Sequence, residues 1–68
     1  MSPGVALSLR VYSNDVSILS AALREMIQDG RSLDDVKNQV REIHQSVEMM
    51  DRALQEQAEL ALKLTDNL

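Results

Sequence analysis

From Leu33 to the end of the chain, apolar residues recur at alternating steps of three and four. The series is Leu33, Val36, Val40, Ile43, Val47, Met50, Leu54, Gln57, Ala61, Leu64 and Leu68, and only Gln57 interrupts it. That spacing is the heptad pattern of a coiled-coil-like helix. No Gly or Pro falls inside it. Ser32-Leu33-Asp34-Asp35 supplies a start signal: a hydroxyl to cap free backbone N–H groups, and two acids at the positive end of the helix dipole. The pattern predicts one helix over 33–67, about 50 Å long at 1.5 Å per residue.

The positions beside this seam are Gln39, His44, Ser46, Asp51, Ala53, Ala58, Leu60 and Thr65. A two-stranded coiled coil usually carries Glu and Lys there. Small and apolar flanks fit a wider stripe that faces several helices, so a bundle is expected. Glu48 and Arg52, and likewise Glu59 and Lys63, stand four apart with the acid first. Each pair is expected to add a few tenths of a kcal/mol to the helix.

A second, shorter helix is predicted over 13–29. Ser13-Asn14-Asp15 can open it, and Val16, Leu19, Leu23 and Met26 form its stripe, widened by Ala22 and Ile27. Gly30 can close it in a left-handed conformation. The link Gly30-Arg31-Ser32 is so short that the helices should fold back as a hairpin.

Residues 5–12 admit two readings. Val5, Leu7, Leu9 and Val11 alternate with Ala6, Ser8, Arg10 and Tyr12, the period-two pattern of a strand. Val5, Leu9 and Tyr12 also extend the helical stripe backward from Val16, with Ser2-Pro3 as cap and first helical residue. The helical reading leaves Leu7 and Val11 outside and runs Ser13-Asn14-Asp15, three poor helix formers, through a helix interior. On those grounds the segment reads as a strand first and a helix extension second.

Composition sharpens this. A chain of 68 residues is a single domain that buries little by itself. It has no Cys for disulfides and one His, too few for a structural zinc site. Its only aromatic residue is Tyr12. Oligomerisation or docking on a partner is the remaining source of stability. The net charge is -4, with eight acids and four bases in 33–68 against three of each in 1–32, so no broad basic surface draws nucleic acid. No apolar run approaches the roughly 20 residues of a membrane helix. The start lacks the basic residues and apolar stretch of a signal peptide, and the expected location is the cytoplasm.

Nothing in the chain suggests catalysis. His44 has no thiol to activate and reads as a half-exposed flank residue. Asp34, Asp35, Glu42, Glu48, Glu56 and Glu59 read as a solvated outer face. Gly4 and Gly30 are isolated and make no phosphate loop. Met49 and Met50 read as core filler. No enzyme activity, cofactor, metal or small-molecule substrate is expected.

The expected fold is therefore mainly α: a helix-turn-helix hairpin with a long coiled-coil-like second helix, a short N-terminal strand or helix extension, and an oligomeric bundle. The expected function is a non-enzymatic protein-interaction or oligomerisation module, of the kind that serves as adaptor, chaperone or inhibitor. It would act through Val40, Ile43, Val47, Met50, Leu54, Gln57, Ala61, Leu64 and Leu68. A helix limited to 13–29 covers only the first half of its mate. Beyond Met50, the face of Leu54, Ala58, Ala61, Leu62, Leu64 and Leu68 would lack an intrachain partner. Partners are another copy, as homodimer or higher, or another helical protein.

An alternative follows from Leu7-Ser8-Leu9-Arg10-Val11 ahead of two helices joined by Gly30-Arg31-Ser32. Over about residues 6–43 this arrangement resembles the ribbon-helix-helix (Arc/MetJ-like) DNA-binding family. The resemblance implies a dimer whose paired ribbons lie in the major groove, with Arg10 reading a guanine edge and Ser8 as a weaker contact. The segment beyond Gln45 would then be an oligomerisation or toxin-binding arm, as in repressors and antitoxins of this type. Three features depart from the family pattern: a first helix about one turn too long, Asp34 and Asp35 where a phosphate should approach, and Ala6 with no hydrogen bond to offer.

Overall fold

The computed structural model describes residues 1–66 and consists of two helices, α1 (Pro3–Gln28) and α2 (Leu33–Asp66), packed as an antiparallel hairpin. The turn follows from local chemistry. Gly30 takes φ 66°, a left-handed conformation that costs a residue with a Cβ about 1 kcal/mol or more. The Arg31 N–H then donates to the Met26 carbonyl (2.9 Å) and the Gly30 N–H to the Ile27 carbonyl (3.2 Å). This is the crossed pair of a Schellman motif, which satisfies the last carbonyls of α1. Two residues later α2 opens: the Ser32 hydroxyl accepts from the Asp35 N–H at 3.1 Å, and Arg31 reaches the Asp35 carboxylate at 3.0 Å.

The strand expected over 5–12 is not formed: those residues are helical, and α1 begins at Pro3 rather than Ser13. Ser2 caps it, its hydroxyl accepting from the Val5 N–H at 3.2 Å, with Pro3 as the first helical residue. Ser13-Asn14-Asp15 lies inside the helix, where the Ser13 hydroxyl donates to the Arg10 carbonyl at 3.0 Å and Asn14 and Asp15 are exposed. The physical reason is a comparison of magnitudes. Three poor helix formers cost about 0.5 kcal/mol each. Continuing the helix sets Val5, Leu9 and Tyr12 against α2, and an apolar side chain gains up to about 1.5–3 kcal/mol when buried. A strand here would have no strand to pair with among the described residues.

The longer α1 also corrects how much of α2 is covered. At 1.5 Å per residue the helices are about 39 and 51 Å long, so α2 overhangs α1 by about two turns. The last position of α2 sheltered by α1 is Gln57, not the region of Met50. The molecule is a rod of 58 × 19 × 10 Å with a radius of gyration of 16.4 Å. A compact domain of this length would have a radius of about 11 Å. No described helix is long and apolar enough to cross a membrane.

Candidate helix-binding surface

The inward faces are legible from burial. On α1, Val5, Leu9, Tyr12, Val16, Leu19, Leu23 and Met26 are partly sheltered, a regular alternation of fours and threes. On α2 the sheltered set is Val36, Gln39, Ile43, Ser46, Met50, Ala53 and Gln57, again a heptad. Half of the apolar seam therefore turns inward: Val36, Ile43, Met50 and Gln57. The other half does not. Val40, Val47 and Leu54 remain 49%, 37% and 45% exposed, and their inward place is taken by the polar or small Gln39, Ser46 and Ala53.

Gln39 holds the hairpin in register. It is the most enclosed side chain of the described residues, 8% exposed, and its Nε2 donates to the Leu19 carbonyl across the interface at 2.9 Å. Its role was hidden in the sequence, where Gln39 reads as a flank residue and Gln57 as the polar break in the seam. The signal that would have revealed it is the extension of the α1 stripe back to Val5, because that stripe needs a facing row as long as itself.

No apolar side chain among the described residues is fully enclosed. The exposed apolar residues are not scattered evenly. A helix turns about 100° per residue, so residues seven apart form a row along its side. On one side of the hairpin, α2 presents Leu33, Val40, Val47, Leu54 and Ala61, and α1 presents Ala6, Ser13, Ser20 and, at the turn end, the exposed Ile27 beside them. The first is an apolar ridge and the second, from Ala6 to Ser20, a shelf of small side chains. On the opposite side, α2 presents Asp35, Glu42, Met49 and Glu56, and α1 presents Ser8, Asp15 and Ala22. That side is acidic on α2, with Met49 its one large apolar member there, while Val11 and Ile18 of α1 lie exposed along its border.

The remaining site residues fall as follows. Ala61 ends the apolar ridge, and Leu64 lies in the uncovered overhang, where Leu60 and Leu62 are also exposed. Leu68 lies outside the described residues. Ser8 is half-buried and Arg10 exposed, both on α1. His44 pairs with Glu48 at 2.9 Å on the surface; the expected Glu48–Arg52 and Glu59–Lys63 pairs are not formed among the described residues. Such exposed pairs contribute at most a few tenths of a kcal/mol. The described residues hold no detectable pocket and no cluster of metal-ligating side chains.

The rod shape shows in the surface area. A monomer of 7.6 kDa exposes about 4,300 Å² on average, and this chain exposes 5405 Å², roughly 1,100 Å² more. A standard protein–protein interface covers about 800 Å² per partner. No family model, curated protein or solved structure matches the chain.

Proposed function

We propose that the chain is a helical protein-interaction module, without catalytic chemistry, whose apolar side receives further helices to complete a bundle. The observation that carries this reading is the row Val40, Val47 and Leu54, left about half exposed while no apolar side chain among the described residues is enclosed. An apolar stripe bordered by small residues is the surface into which an amphipathic helix docks. The shelf of Ala6, Ser13 and Ser20 lets a docking helix approach closely. The acidic side opposes association and keeps the growing assembly one-sided. Adaptor, chaperone-like and inhibitor roles all use such a surface.

Circular dichroism over a range of concentrations tests the reading. Helicity and the thermal midpoint should rise with chain concentration, or on adding a helical partner, because binding stabilises the folded state by mass action. A cooperative monomer with a midpoint independent of concentration, which binds no apolar dye, would overturn it.

A further inference from the structure

We infer that the occupant of the apolar side is a second copy of this chain, docked face to face with its turn at the opposite end. The two α2 helices would then run antiparallel about Val47. This deepens the proposed function and rests on it.

Four observations lead to this occupant. First, Val47 is the middle member of the described part of the ridge, a row that Leu68 continues in the sequence. Val47 has Val40 and Leu54 seven residues to either side, and Leu33 and Ala61 fourteen. An isologous two-fold contact brings a patch onto itself. It sets Val47 against Val47, Val40 against Leu54, and Leu33 against Ala61.

Second, α1 has the matching shape. Gln28 and Leu33 flank the turn at one level, so equal steps along the two helices bring Ser13 about level with Val47. The same axis then stacks Ser13 on Ser13 and Ala6 on Ser20. Small side chains at those places allow α1 to approach its copy at the short end of the 8–10 Å range of packed helices. The apolar ridges meet each other rather than the serine shelves.

Third, this orientation covers the overhang. In the alternative, with both turns at one end, each α2 stacks on an α1 that stops at Pro3, about two turns short. With the turns opposed, α2 lies along the whole of the other α2 as far as Ala61, and Leu64 comes beside the other copy's turn.

Fourth, the polar groups agree, with an imidazole as hydrogen-bond donor to a carboxylate. His44 and Asp51 border the ridge on its outer edge and are exposed. Antiparallel pairing about Val47 places each His44 beside Asp51 of the second copy, twice per dimer. With both turns at one end, Lys37 would instead meet Arg24, like charge against like, offsetting the favourable meeting of Asp51 with Arg10.

The chain has no cysteine, so a single introduced thiol reports proximity without interference. Val47→Cys in the full chain, under mild oxidation, should yield mostly disulfide-linked dimer, because its position on the two-fold axis meets the Cα separation of under about 7 Å that a disulfide needs. Val40→Cys and Leu54→Cys should each link poorly alone and well when mixed. Glu42→Cys, on the acidic side, should not link. Sedimentation equilibrium of the unmodified chain is the companion measurement, with a dimer expected and Val47→Glu weakening it at least 100-fold. A dimer in which Val47→Cys fails to link overturns the antiparallel pairing and leaves the interaction module standing. A monomer that gains helicity with an added amphipathic helix overturns the second copy as occupant. A monomer inert to helices and to apolar dye overturns both.

Discussion

The two long sides of the hairpin are built on one backbone plan and differ only in side chains. Val40, Val47 and Leu54 flank the inward face of α2 on one side; Glu42, Met49 and Glu56 flank it on the other. The middle members of the two rows, Val47 and Met49, are equally exposed at 37%. Burial within the hairpin therefore cannot explain why one row is apolar and the other mostly acidic. Under the proposed function the difference has a cause: the apolar row answers to a neighbour beyond the hairpin as well as to α1. On that reading one side closes and the other stays in water.

Several substitutions would break or sharpen that contrast. The largest effect is expected from Val47→Glu, which puts two carboxylates against each other at the centre of the proposed contact. Like charges there, taken out of water, should cost about 3 kcal/mol or more, enough to leave mainly monomer in sedimentation at micromolar concentration. The converse change, Glu42→Val with Glu56→Val, should give the acidic side an apolar ridge of its own. Light scattering should then report species larger than the wild-type assembly.

Gln39→Ala comes next. It removes the Gln39–Leu19 hydrogen bond across the hairpin and opens a space beside Leu19, so urea unfolding should show a loss of about 1–2 kcal/mol. Gln39→Leu should lose little, because the Leu19 carbonyl also lies within the helical hydrogen-bond ladder. A loss for Leu as large as for Ala would show that the amide, not packing, governs this position. Gly30→Ala should cost about 1 kcal/mol through its left-handed φ and should loosen the turn that sets the two sides relative to each other. His44→Ala should change monomer stability by no more than a few tenths of a kcal/mol, its Glu48 contact being solvent-exposed. The smallest signal is expected from DNA: with a net charge of -4, the chain should not be retained with duplex in a low-salt filter-binding assay.

The hairpin and its turn were legible in the sequence because each signal there is local. Gly30, Ser32 and the paired acids after it act within four residues, and each does in the structure what its chemistry allows. Residues 5–12 were not legible in the same way. Over so short a run, Val5 and Leu9 satisfy a two-residue and a four-residue period at once, and the decision is made by their burial against α2. The seam of α2 was legible as a pattern but not as a direction. A heptad with apolar residues at two positions and small residues at a third has two ways to face a mate. Which row turns inward depends on what the mate can accept, and α1 accepts Gln39, Ser46 and Ala53. That choice is what leaves Val40, Val47 and Leu54 at the edge.

A hairpin with no enclosed apolar side chain has a consequence for how native molecules come to exist. Under the proposed pairing, acquiring structure is a second-order event, and the native fraction climbs with supply of the polypeptide itself. Dilution then acts as a denaturant, and a cell making too few copies would hold the chain mostly as unstructured coil open to proteases.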